Sequence, residues 1–257
     1  MFDFFKNRRR RKLRERPFQD EWHAHLDRNA PLCRRVPETL RPELLGLTQI
    51  FLAEKNFEGC GDLDMSDEIR VTIAAQACLL LLGRETDVYP WVQSVLVYPT
   101  TFVAPIVEEF DDGLVEEYDD ALDGEAWSTG AVILAWDDVL HAADDLLDGY
   151  NVVLHEFAHQ LDLETGEADG LPKLGPGVDP QVWTETFSRA YERHCRDVDR
   201  RRHTLLDDYG ADDPAEFFAV ATENYFVRPA ALKRRHADLH ARLREFYGWE
   251  TESGSGR

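Results

Sequence analysis

The chain has 257 residues, 43% of them apolar, and a formal net charge of −21. That is enough apolar material for a sizeable core, while the acidity argues against general DNA or RNA binding, which depends on clustered Lys and Arg. The longest apolar run, "VTIAAQACLLLLG" at 71–83, falls short of the roughly 18–20 residues that cross a bilayer and reads as a buried helix.

Residues 1–16, "MFDFFKNRRRRKLRER", put their apolar residues before the basic block, and no long apolar segment follows. That is the wrong order for a secretory signal. A block of like charge predicts a disordered arm over 1–16, with a weak contact to an anionic membrane surface or an acidic partner as its functional alternative. From 17 to 248 the pattern is continuous and predicts one domain, followed by a disordered tail over 249–257. "FQDEWHAHLDR", "PETLRPELLGLTQIFLAEKN" and "SDEIRVTIAAQACLLLLGR" read as three helices separated by Pro, Gly and Asn. Ser66 and Glu68 mark the start of the third. "WVQSVLVYPTTFVAP" (91–105) is β-rich and predicts a short strand broken by Pro99 and Pro105.

The acidic peak, "EEFDDGLVEEYDDALDGE" (108–125), is expected as an exposed loop or hairpin and lacks the ligand spacing of an EF-hand. "AWSTGAVILAW" (126–136) predicts a second strand, and "DDVLHAADDLLDG" a short amphipathic helix. A helix over about 150–163 follows, then a Gly/Pro-rich loop at 165–180 and a long helix at 180–203. After the loop "TLLDDYGADD", helices at 214–227 and 229–248 close the chain. Cys33, Cys60, Cys78 and Cys195 are far apart with no CxxC pair, as in reduced thiols of a cytoplasmic protein. The fold class is α+β, predominantly α-helical, with a small sheet.

The helix at 150–163 carries His155-Glu156-Phe157-Ala158-His159. Positions i and i+4 lie about 40° apart around a helix and about 6 Å along it, so the two imidazoles can converge on one ion. Glu156 is turned about 100° away, off the metal but within reach of a water beside it. The helix is otherwise apolar nearly all round, as a buried helix is. Its polar stripe of His155, His159 and Asp162 must therefore be satisfied, by a metal or by a hydrogen-bonded histidine pair. His236 and His240 share the spacing, but their helix is basic and amphipathic and has no glutamate after the first histidine; they read as ordinary helix residues.

A catalytic zinc takes three protein ligands plus water. Six residues beyond His159 stands Thr165 rather than a third histidine, so a distant carboxylate is the expected ligand. Glu216 and Glu223 are seven apart and share a helix face. Glu216 also fits a capping box begun by Asp213 and Pro214, and Glu223 also fits an outer partner of a ligand histidine. Spacing alone leaves both open.

"NVVLHEFAHQLD", together with "RVTIAAQACLLLLG", "SVLVYP", "GEAWSTGAVILAWDDVL" and "DDYGADDPAEFFAVATENYF", resembles the Mlc titration factor A family, the M90 metallopeptidases, over about residues 17–247. The resemblance implies a zincin-like core with a small sheet beside the HExxH helix. It implies Zn²⁺ held by His155, His159 and Glu216, with Glu156 as general base and Tyr209 facing the metal. On that reading zinc activates a water, Glu156 takes its proton and passes it to the leaving amine, and Tyr209 donates to the developing oxyanion. The bland alternative for Tyr209 is a buried loop anchor. Peptide is expected to pair with a strand edge in 129–136, under a loop at 165–179 that shapes the cleft. Endopeptidase and aminopeptidase action are both open. The family name implies an alternative: a regulatory protein that sequesters a transcriptional repressor and whose peptidase activity is secondary. A purely structural zinc site would have no use for Glu156.

Overall fold

Helices that are apolar on every side have to sit in the middle of a protein, and three of them do so here. The computed structural model describes residues 2–84, 87–100, 102–109, 115–122, 124–126, 130–144 and 146–251, with side chains for these except residues 2, 3 and 102–126. In chain order the helices are α1 (Phe2–Arg14), α2 (Asp20–Asn29), α3 (Arg41–Glu54), α4 (Asp67–Leu79), α5 (Trp136–Asp144), α6 (Val152–Asp162), α7 (Pro180–Asp199), α8 (Pro214–Val227), α9 (Pro229–Arg235) and α10 (Ala237–Tyr247). The strands are β1 (Asn56–Gly59), β2 (Ser94–Tyr98), β3 (Phe102–Glu109), β4 (Val115–Leu122), β5 (Gly124–Ala126) and β6 (Ala131–Ala135). The fold is α+β and mostly helical.

α4, α6 and α8 form the centre. Ten of the eleven residues of α6 are buried, as are twelve of the fourteen of α8. Phe157 of α6 packs edge-on against Phe51 of α3 and Tyr89. One face of α6 meets α8, and the helix also touches β5 and β6, so the sheet lies beside the HExxH helix. Its order is β1-β2-β6-β5. β1, β2 and β6 run parallel, and β5 returns antiparallel along β6. Val95 and Val97 pair in register with Val132 and Leu134, and all four are buried.

Several expectations need correction. Residues 2–14 are helical, not a disordered arm. Arg10 forms a two-pronged pair with Glu54 and a second bond to Asp87, which Lys6 also reaches. Leu13 is buried against the core. A run of like charge becomes ordered when its counter-charges arrive from elsewhere in the chain, here 44 to 81 residues away. At the other end, Trp249 and Thr251 are buried rather than part of a loose tail. Tyr225 Oη donates to the Trp249 carbonyl, and Trp249 Nε1 donates to that of Leu79; residues 252–257 lie outside the described residues.

Pro99 ends a strand as expected, but β3 runs through Pro105, opposite Asp119. A two-stranded ribbon leaves alternate N–H groups outside the ladder, where proline costs nothing. The acidic peak supplies β4 of that ribbon; its residues 110–114 lie outside the description. The expected single helix at 229–248 is two, broken at His236 (φ −138°, ψ 58°). The expected free edge at 129–136 is not free: β6 has β2 on one side and β5 on the other.

Candidate metal centre

α6 begins where Asn151 caps it. The Asn151 side chain accepts from Leu154 N at 2.9 Å, and its Nδ2 donates to Gln76 Oε1 of α4 at 2.8 Å. Its own backbone N–H donates to Glu223 Oε2 of α8. One residue thus ties the start of the motif helix to both central neighbours. α8 begins at Asp213, whose side chain accepts from Ala215 N and Glu216 N, with Pro214 in the first turn. The helix is capped without help from the Glu216 side chain, which leaves that carboxylate for another task.

That task is visible in the distances. His155 Nε2 is 3.1 Å from His159 Nε2 and 3.0 Å from Glu216 Oε2; His159 Nε2 is 3.4 Å from Glu216 Oε1. Ligand atoms about 2.0–2.1 Å from a tetrahedral zinc stand about 3.3 Å from one another. The two imidazoles and the two Glu216 oxygens are thus spaced as neighbouring ligand atoms are, and one donor atom from each of the three residues lies within 4.8 Å of the others. Among the described residues, no other group of three His, Cys, Asp or Glu side chains converges in this way.

The electrostatics ask for a cation at the same place. His155 Nδ1 meets Glu223 Oε1 at 2.9 Å, so the proton sits on Nδ1 and a neutral ring turns an Nε2 lone pair toward the lone pairs of Glu216 and His159. A cation removes that repulsion. Without a metal, a second proton does so. Burial disfavours a charged His155, but the hydrogen bonds to Glu216 and Glu223 outweigh it and raise its pKa well above the ordinary value. Burial also disfavours a charged Glu216, yet His155 and His159 hold it down at about 2. Burial raises the pKa of Glu223, and the bond from His155 offsets only part of that rise. The donor set therefore fits a divalent cation with borderline-soft preferences.

Glu156 is 3% exposed. It directly follows His155 on α6, and its charge helps to raise the pKa of both His155 and Tyr209. Tyr209 stands on a 3-10 turn, Asp208–Ala211, capped by Asp207, which accepts from Tyr209 N at 2.9 Å. Its ring lies 5.9 Å from that of His155. Partial burial, then the charges of Glu216 and Glu156, raise its pKa, so the phenol keeps its proton and can donate. Half of the side chain is exposed, which does not suit a buried loop anchor.

Sequence reasoning missed Gly170. Fully buried Asp162 accepts from Gly170 N at 2.7 Å, and the Trp183 indole donates to the Gly170 carbonyl. Gly170 has φ +77°, and a Cβ there would come within 2.5 Å of the Pro214 carbonyl oxygen. Only glycine fits both the conformation and the approach. The loop after α6 is thereby pinned against the start of the helix that carries Glu216. The glycine was readable as a turn; its contact with Pro214, 44 residues on, was not.

This geometry meets a match in sequence. The model of the glucose-regulated metallo-peptidase M90 family fits residues 4–248. The chain belongs to the M90 metallopeptidase family. An uncharacterized protein of Synechocystis sp. is 38% identical over 240 residues, covering 93% of this chain and 87% of the relative. Proteins named Mlc titration factor A are 30% identical in Pectobacterium atrosepticum (89% of this chain, 85% of the relative) and in Escherichia fergusonii (92% and 89%). M90 membership implies a metal ion, and His155, His159 and Glu216 are the residues placed to hold it.

Proposed function

We propose that this M90 protein is a zinc-dependent peptidase, with His155, His159 and Glu216 as ligands. The observation that carries the reading is the convergence of His155 Nε2, His159 Nε2 and the Glu216 carboxylate, with contacts of 3.0–3.4 Å, beside a buried Glu156. When bound, Zn²⁺ supplies Lewis acidity toward a water and the scissile carbonyl. Glu156 receives the proton of the attacking water and returns it to the leaving amine. Tyr209, kept protonated by partial burial and then by its anionic neighbours, donates to the oxyanion. Glu223 fixes the tautomer of His155 by accepting from its Nδ1. The substrate is a peptide or protein. Its backbone would add to β5, which has β6 on one side and no strand on the other among the described residues and which packs against α6.

We place the protein in the cytoplasm: no helix among the described residues is long and apolar enough to cross a membrane, and its four cysteines are free thiols. The name of the relatives supports a second role, capture of a transcriptional regulator of the Mlc type, with peptide hydrolysis secondary.

The test is Glu156→Gln. It should keep its zinc and lose about 10²–10⁴-fold in peptide turnover, the usual range for a general base. Cleavage at the wild-type rate would end this mechanism, and a wild type purified without chelators that binds no zinc would end the site. The same inactive variant used as bait separates the second role: a regulator retained without being cut is the expected catch.

A further inference from the structure

Eight of the chain's 29 Lys and Arg residues fall between positions 6 and 16, in a protein of net charge −21. α1 therefore presents a basic surface on an acidic body, and its two faces differ. Lys6, Arg10 and Leu13 turn inward to Asp87, Glu54 and the core. At about 100° per residue, Phe4, Arg8, Arg11, Lys12 and Glu15 form the opposite stripe, with Phe5 at its margin. All are exposed, Phe4 at 68% and Phe5 at 60%. The outer face thus carries three cations, one acid and two phenylalanines that the fold leaves in water. Between α1 and α3 runs a groove of about 560 Å³, in which Arg8, Arg9, Lys12 and Arg16 rim an apolar floor of Leu13 and Ala53.

We propose that this face docks the protein onto an anionic lipid bilayer, the phenylalanines entering the headgroup–acyl boundary and the cations meeting lipid phosphates. Charge complementarity selects the occupant: Lys and Arg are attracted to an anionic leaflet, and exposed aromatic residues beside them are what an interfacial helix uses. An acidic polypeptide would satisfy the cations and leave Phe4 and Phe5 in water. The remaining surface, acidic and repelled by the same leaflet, holds the molecule in one orientation. Screening within about 8–10 Å lets the local attraction act against the net charge.

The experiment is co-sedimentation of the full chain with vesicles of phosphatidylcholine, with and without about 30% phosphatidylglycerol. Anionic vesicles should bind at least about tenfold more strongly than neutral ones, with the advantage falling as salt rises. Arg8→Glu, Arg11→Glu and Lys12→Glu together should lose at least about tenfold of that binding. Phe4→Ala with Phe5→Ala should lose severalfold at high salt, where attraction by charge is weak. Zinc content and helicity should not change in either variant, because these side chains face away from the core. No preference for anionic vesicles, or equal binding by the charge-reversed variant, would overturn the proposal. So would capture of soluble polyglutamate with no vesicle binding, which would mark an acidic polypeptide as the partner.

Discussion

The two histidine pairs, His155/His159 and His236/His240, share a spacing and little else. The first lies on an unbroken helix capped by Asn151 and enclosed on all sides. The second straddles the end of α9, with His236 outside the helix that carries His240. Around the first pair stand carboxylates from α8: Glu216 at His155 Nε2 and Glu223 at His155 Nδ1. Around His236 stand cations. Arg193 Nη2 is 3.3 Å from His236 Nδ1, and burial followed by the charges of Arg193 and its neighbours lowers the His236 pKa to about 4. Among the described residues the carboxylate that His240 meets is that of the partly exposed Glu250, at 3.4 Å. An i, i+4 pair becomes a cation site when a second helix brings anions to it. Among cations the same pair stays neutral and packs.

The largest effect is expected from taking the ligand anion away. Glu216→Ala should weaken Zn²⁺ binding by at least about 100-fold, since loss of an outer partner alone commonly costs about 10–100-fold. Helicity should be unchanged, because Asp213 and not Glu216 caps α8. Competition against a chromophoric chelator reads the affinity. A variant that binds zinc as tightly as the wild type would erase the distinction between the two pairs.

Glu223→Gln should cost less, about 10–100-fold. Glutamine still accepts from Asn151 N but no longer holds the His155 tautomer with a charge. If Glu223→Gln outdid Glu216→Ala, the roles of the two glutamates would be exchanged. Acidification should sharpen the same contrast. In the metal-free protein His155 has a raised pKa, so below that pKa a proton stands where the metal must go. Apparent affinity then falls with falling pH, by up to about tenfold per unit for each proton displaced, and levels off above the raised pKa. Glu216, held at about 2, stays ionised throughout and adds no slope. A pH-independent affinity would show that the metal does not displace the His155 proton.

What could be read in the sequence follows from distance along the chain. The motif helix announced itself through five consecutive residues and an apolar surround, and the shared face of Glu216 and Glu223 through helical spacing. Which glutamate faced which nitrogen of His155 was not legible, because it depends on how α8 crosses α6, 60 to 70 residues apart. The same limit hid α1: its arginines look unpaired until Glu54 and Asp87 fold onto them. The break at His236 was missed for a different reason. The residues on both sides are good helix formers, and no Gly or Pro marks the site. β1 escaped notice as well, four residues of strand directly after a helix.

The smallest expected effect tests the second pair. His236→Asn with His240→Asn should leave zinc stoichiometry and affinity unchanged, because among the described residues no carboxylate pair flanks these rings. His240 is buried and packs 5.4 Å from Tyr225, so the double variant should lose about 1–2 kcal/mol of stability, read as a shift of the denaturant midpoint. Metal loss without such a shift would mean that a second cation site had been overlooked. A stability loss with full metal content would assign this pair to packing and leave the chemistry with the carboxylates of α8.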